Sequence, residues 1–341
     1  MTPELNDIDR QPVAKHNPVI KQVPVIDLAE LLHDSSSNAA LTAIDKIAQA
    51  CKTWGFFQVI NHGIATTHIE EVWKQTHALF ALPTKEKLAL MRSRQNPWGF
   101  YNHELTKNQR DKKEVFDFTL QDFDPIYHQA NRWPRQHPQF KATMLAHLEA
   151  CTTLGLKLLE AFCLGLNLPA RFLHPHFEGT HTGFVRLNYY PTKDPLAGIS
   201  TDHSGTADLG IHHHTDAGGL TLLLQDHVTG LQVYRDGLWY DVPTVKGAMT
   251  VNTGDMMQVW SNDAYQAPIH RVLAMDHRER YSIPFFLNPA ADCLVAPVPS
   301  VVDAKNPRHY KPIGWGDFRG KRSDGDFADY GAEVQISDYR I

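Results

Sequence analysis

The run HHHTDAGGLTLLLQD, from His212 to Asp226, sets three histidines and an aspartate at the head of an apolar segment. Residues two apart in an extended chain point to the same face, so His214 and Asp216 can aim an imidazole and a carboxylate at one ion while Thr215 points away. His212 shares that parity and His213 does not. A histidine from a later strand would complete a set of two histidines and one carboxylate. Such a set leaves coordination positions open and suits a non-haem Fe(II) centre. His270, in APIHRV, is the favoured third member because Ile269 and Val272 beside it read as buried. His227 and His277 compete with it by count, and a lone HxD pattern is common in turns. Spacing by itself leaves the set open.

A second group of residues could receive a carboxylate. In RYSIPFF, Arg280 and Ser282 share a strand face; the arginine fork binds a carboxylate bidentately and the hydroxyl adds a directed bond. Taken alone, Arg280 reads more simply as half of a surface ion pair. In FVRLNYY the same alternation gathers Arg186, Asn188 and Tyr190 on one face, with Val185, Leu187 and Tyr189 on the other. An iron triad beside a carboxylate receptor describes a site for iron plus a small dicarboxylate.

These residues must be positioned by strands. From Phe184 to about Leu287 the chain is a succession of short β-runs punctuated by Gly, Asn, Asp and Pro, the pattern of an all-β sandwich or barrel. The intervals are too short for crossover helices. Upstream, VPVIDL and FFQVI read as strands, and Leu41, Ile44, Ile47, Ala48 and Cys51 recur at helical spacing before Gly55. A long helix follows over Phe140–Phe162, ending near Gly165. Residues 91–135 are rich in aromatics and charges without a clean period and read as loops and short strands. The Pro- and Gly-rich tail from Cys293 reads as an outer wrap.

The totals bound the function. With 341 residues, 42% hydrophobic and 21% charged, the chain can bury a sizeable core. A net charge of −5 gives no reason to expect nucleic acid or an anionic membrane as partner. The start, MTPELNDIDRQP, is polar and acidic, unlike a secretory signal, and no stretch approaches the roughly 18 apolar residues of a membrane span. Four widely separated cysteines without a CxxC pair suit a reduced, cytoplasmic protein.

At this point the sequence resembles a known family, the iron(II)- and 2-oxoglutarate-dependent dioxygenases of the isopenicillin N synthase-like class. VPVIDL, WGFFQVINHGI, RLNYYP, HTDAGGLTLLLQD, GLQV, VNTGDMMQVWSN, IHRV and RYS follow in the family's order over roughly Val23 to Pro289. The resemblance implies a mainly β, α+β fold: a double-stranded β-helix (jelly-roll) core flanked by N-terminal helices. It divides the chain into a flexible arm (1–20), a helical region packed on the core (21–180), the jelly-roll catalytic core (181–292) and a C-terminal wrap (293–341). By position it implies Fe(II) on His214, Asp216 and His270. It further implies the distal carboxylate of 2-oxoglutarate on Arg280 and Ser282, with Asn188 and Tyr190 close by. The expected activity is oxidation of an unactivated C–H bond of a small-molecule metabolite, consuming O2 and releasing succinate and CO2. Hydroxylation leads; desaturation or ring closure is the alternative outcome. The protein is expected to be a monomer.

His212 and His213 then read as solvated neighbours or as residues shaping the approach, the former preferred. The polar segment Thr201–Ile211 departs from the family's shorter connection. For the substrate pocket the candidates are Trp98, Phe100, Tyr101, His103, Phe116, Phe118 and Phe286, though each also reads as an ordinary core or lid residue. Three rivals stand beside the main reading. An iron oxidase of the same fold would not use 2-oxoglutarate, a jelly-roll binding module would lack catalysis, and a zinc hydrolase would need a general base that no motif supplies.

Overall fold

The computed structural model describes Ile8, Gln11 and residues 23–120, 124–178, 181–197, 209–328 and 331–341. The expected arm over residues 1–20, apart from Ile8 and Gln11, lies outside the described residues, as do residues 201–208 of the polar segment.

Helices gather early in the chain, as their patterning requires: α1 (Ala29–His33), α2 (Asn38–Thr53), α3 (Thr66–Phe80), α4 (Thr84–Leu88) and the long α5 (Pro138–Gly165). The α2 helix starts where the Ser37 side chain accepts from the Ala40 amide. It stops before Gly55, whose φ of +63° and contact with the Gln266 carbonyl leave no room for a Cβ. Pro138 opens α5 at a position where a missing N–H costs nothing. Its stripe of Phe140, Met144, Leu148, Cys151, Leu154, Leu158 and Phe162 is buried, as the periodicity predicts.

The strands are β1 (Val25–Asp27), β2 (Phe56–Ile60), β3 (Gly99–Tyr101), β4 (Leu105–Thr106), β5 (Gln109–Arg110), β6 (Glu114–Thr119) and β7 (Phe184–Tyr190) in the first part of the chain. Next come β8 (Leu209–His214), β9 (Leu220–Gln225), β10 (Leu231–Arg235), β11 (Leu238–Asp241), β12 (Met249–Thr253), β13 (His270–Leu273) and β14 (Arg280–Leu287). Eight of them form one sheet in the order β1-β2-β12-β9-β14-β7-β6-β3, and four form a second in the order β11-β10-β13-β8. Apart from the parallel β1–β2 pair, every pairing in these two sheets is antiparallel. This is the jelly-roll arrangement expected. The N-terminal region is not simply a helical layer, because β1, β2, β3 and β6 extend the larger sheet at both edges.

Two apolar clusters follow from the two faces of that sheet. One joins α2, α3 and α5 to the outer face, with Phe57, Leu187, Leu222 and Phe285 among its members. The other lies between the sheets and includes Phe56, Tyr190 and Leu223 facing Leu231, Val233 and Val272. The site opens on this inner side. A short helix, α6 (Asp255–Trp260), follows β12, and α7 (Trp315–Gly325) lies in the tail beyond β14. The tail is more than an outer wrap: Tyr310, Ile313, Trp315 and Phe318 are fully buried, and Trp315, Arg319 and Arg322 help line the cavity.

Candidate active site

His214 ends β8, His270 begins β13, and the two are direct cross-strand partners. Asp216 lies just past the end of β8. Its Oδ1 stands 3.7 Å from Nε2 of His214 and 3.6 Å from Nε2 of His270. Among the described residues these three form the one group of His, Cys, Asp and Glu side chains whose donor atoms come within 4.8 Å of one another. His227 and His277 are not part of it.

The surroundings set each donor. Thr221 and Asn252 both donate to Oδ2 of Asp216, at 2.5 and 2.7 Å, which leaves Oδ1 turned to the histidines. Nδ1 of His214 donates to the His212 carbonyl at 2.8 Å and Nδ1 of His270 to the Pro268 carbonyl at 3.1 Å. With the proton on Nδ1, each Nε2 presents a lone pair. Burial, with His270 alongside, holds the His214 imidazole well below its usual pKa, so it stays neutral. The turn itself is pinned by the Asp255 amide on the Asp216 carbonyl at 2.7 Å, and a Cβ on Gly218 would collide with Oδ1 of Asn288.

Simple alternation fails in β8. Between the pairs His270–His214 and Val272–Ile211, two residues of β8, His212 and His213, oppose one of β13, Arg271, a β-bulge. It puts Ile211 and His214 on the cavity and turns His212 away. His212 and His213 are not solvated; only 8% and 5% of their surfaces are exposed. Asp111 clasps the bulge, accepting from the His212 amide at 3.1 Å and approaching its Nδ1 at 2.9 Å. Thr106 and Lys113 also donate to this carboxylate.

Along the inner face of the large sheet lie Phe184, Arg186, Asn188, Tyr190, Arg280, Ser282 and Phe286, all lining the cavity. Arg280 is not half of a surface ion pair: it is 1% exposed and stacks over Tyr190 at 4.9 Å. Its Nε and Nη2 donate to the Val228 carbonyl and to Gln225, while Nη1 is buried without a partner among the described residues. Asn188 donates to the Ser282 hydroxyl at 3.3 Å, and its Oδ1 is likewise buried and unmatched. An unpaired guanidinium held out of water costs several kcal/mol unless an anion joins it. Arg186, by contrast, is consumed by Asp117 and Glu104. Against the effect of its burial, Arg186, Lys113 and Arg92 hold the Glu104 carboxyl well below the usual range.

Of the expected pocket aromatics, Phe286 alone lines the cavity. Phe116 and Phe118 pair with Leu187 and Val185, the outward residues of β7, so both point to the helices and pack near Trp133, with Phe116 also against Phe140. Phe100 pairs with Phe116 and shares its face. Trp98 sits behind Phe184, and Tyr101 packs between His103 and Phe327. Thr221, Asn252 and Asp111 lie beyond what the motifs single out. Thr221 is a polar interruption within the apolar run LTLLL, a legible signal; nothing in MTVNT singles out Asn252, and nothing in the charged stretch DKKE marks Asp111.

A jelly-roll carrying two imidazoles and one carboxylate that face one another, with an arginine lacking an ion-pair partner among the described residues in the same cavity, defines a non-haem iron oxygenase architecture. The comparisons agree. Residues 181–289 match the 2OG-Fe(II) oxygenase superfamily, and residues 23–139 match the N-terminal family of non-haem dioxygenase in morphine synthesis. 1-Aminocyclopropane-1-carboxylate oxidase 5 of Arabidopsis thaliana is 32% identical over 87% of this chain and 92% of its own. The solved structure of JOX2 with 2OG, Fe and JA superposes with a TM-score of 0.79 at 26% identity, covering 98% of this chain and 93% of that one. A full-length Neurospora crassa protein solved in complex with alpha-KG and thymine gives 0.79 at 25% identity, covering 92% and 99%. The chain belongs to the 2OG-Fe(II) oxygenase superfamily and is a 2-oxoglutarate-dependent dioxygenase using Fe(II) and O2. No described helix is long and apolar enough to cross a membrane.

Proposed function

We propose that His214, Asp216 and His270 hold the Fe(II), that Arg280 and Ser282 receive the distal carboxylate of 2-oxoglutarate with Asn188 and Tyr190 beside it, and that the enzyme hydroxylates a small-molecule metabolite. The observation that carries the assignment is the division of labour on Asp216: one oxygen is fixed by Thr221 and Asn252, the other faces both imidazoles.

Bound together, iron and 2-oxoglutarate convert O2 into an oxidant able to break an unactivated C–H bond, leaving succinate and CO2. The chain supplies position and dryness. Arg280 and Ser282 fix the cosubstrate's register from one end of the cavity. Thr221 and Asn252 keep Asp216 from turning, and the carbonyls of His212 and Pro268 keep both imidazoles in the tautomer a metal needs. Phe184, Pro284, Phe286 and Trp315 form an apolar wall for the substrate. The two solved neighbours carry JA and thymine, small diffusible molecules, which supports the same class here. Four buried free thiols fit a cytoplasmic location. Succinate formation coupled to O2 uptake tests the proposal; substrate oxidation that proceeds without 2-oxoglutarate would refute it.

A further inference from the structure

Among the described residues five lysine and arginine side chains line the cavity: Lys113, Arg186, Arg280, Arg319 and Arg322. Three are committed to carboxylates. Lys113 pairs with Glu104 and Asp111, Arg186 with Asp117 and Glu104, and Arg322 with Glu333. Arg280 and Arg319 make no ion pair with any described residue. Asp124 and Asp326 feel the charge of Arg319, but neither stands at ion-pair distance from it, and Asp326 is drawn to Arg92 and Arg186 instead. The proposed cosubstrate accounts for Arg280 and leaves Arg319 unexplained.

The two free arginines mark opposite ends of one strand pair. Arg280 is the partner of Tyr190, and Phe286 is the partner of Phe184. Six residues of β7 separate those rungs, roughly 20 Å at about 3.3 Å per residue. Arg319, from α7, lies over the Phe184 ring with its guanidinium carbon 5.0 Å from the centroid, and Phe184 stacks on Phe286 at 4.6 Å. Thr221, which holds Asp216, is itself the β9 partner of Phe286. The proposed metal carboxylate therefore sits toward the Arg319 end. A cosubstrate reaching from Arg280 to the triad leaves the stacked rings and Arg319 on the far side, where the molecule to be oxidised must lie.

From this we infer that Arg319 is a specificity residue that receives the carboxylate of the primary substrate, and that this substrate is a small monocarboxylic acid with an apolar body. The inference rests on the oxygenase reading of the site and adds the substrate class. A guanidinium lying over an aromatic face keeps N–H groups available for an acceptor, and a carboxylate can meet its fork bidentately. The body of such an acid would lie on Phe184, Phe286, Pro284 and Trp315. Arg322 from the same helix is paired with Glu333, which leaves Arg319 as a single positive charge at that end and matches a monoanion better than a phosphate ester.

The test uses the iron-loaded enzyme with a panel of monocarboxylic acids bearing alkyl, terpenoid or aryl bodies, each beside its carboxamide. Succinate release reports turnover. Quenching of tryptophan fluorescence, available through Trp315, reports binding without turnover. At least one acid should bind and stimulate succinate release where its carboxamide does neither. For that acid, Arg319→Gln should raise KM about tenfold or more, the loss expected for a charged hydrogen bond. The KM for 2-oxoglutarate should stay at the wild-type value, and Arg319→Lys should recover part of the loss. Preference for a neutral compound over its acid, failure of every acid to bind or stimulate, or an unmoved KM in Arg319→Gln would each overturn the inference. Slow substrate-free conversion of 2-oxoglutarate to succinate by the wild type separates the two levels. If it occurs while the acids fail, only the substrate class falls; if it is absent, the proposed iron and cosubstrate site falls with it.

Discussion

His214 and His270 stand opposite each other across β8 and β13, their ring centroids 4.2 Å apart. The pairing needs the bulge before His214, and Asp111 holds that bulge through the His212 amide and ring. Asp111→Asn keeps the side-chain shape and removes the charge that attracts Lys113 and His212. It should weaken Fe(II) affinity about 10- to 100-fold, the effect typical of groups that orient a ligand, while unfolding stays cooperative. An anaerobic iron titration measures this; wild-type affinity in the variant would show that the bulge holds itself.

Arg280 lies 1% exposed with one nitrogen unmatched, so its worth should appear when the cosubstrate binds. Arg280→Ala should cost about 2–5 kcal/mol of that binding, a rise of roughly 30-fold or more in the KM for 2-oxoglutarate. Arg280→Lys should recover part of it, since a point charge replaces the fork. Steady-state kinetics at varied 2-oxoglutarate decides, and an unchanged KM would place the anchor elsewhere.

Phe116 and Phe286 separate core from pocket. Phe116 packs on Phe140 beneath the helices, so Phe116→Ala should lose about 3–5 kcal/mol of stability with the substrate KM near wild type. Phe286 lines the cavity, and Phe286→Ala should raise the substrate KM. Denaturant unfolding and kinetics on both variants would expose a reversed pattern.

Acid stability should depend on His147. Burial, with His68 and His62 alongside, pushes this imidazole down from 6.5 to about 3. The unfolded chain binds a proton below pH 6.5 that the folded chain refuses down to pH 3, so stability is full above the upper value and falls as pH drops between the two. One such group contributes at most about 1.4 kcal/mol per pH unit. His147→Phe should flatten the fall in unfolding midpoint across that window, and an unaltered slope would assign the acid sensitivity to other groups.

The strands and long helices were legible because their patterns are periodic and long: the α5 stripe and the β7 alternation hold residue by residue. The grouping of His214, Asp216 and His270 was legible through motif order. What escaped was set by tertiary context. The β8 bulge breaks parity through a distant carboxylate, which no local pattern announces. The facing of Phe116 and Phe118 follows from cross-strand register with β7, invisible until the partner strand is known. Arg319 and Arg322 reach the cavity because the tail folds back, and a polar, Gly-rich helix gives no sign of that.

The most direct measurement is anaerobic Fe(II) binding followed by addition of 2-oxoglutarate, monitored by visible absorption, in wild type and in Asp216→Ala. The wild type should take up a single equivalent of iron and develop an absorption band that requires 2-oxoglutarate, and the variant should lose both while its unfolding transition persists. Iron uptake and an identical band in a folded Asp216→Ala protein would contradict the account.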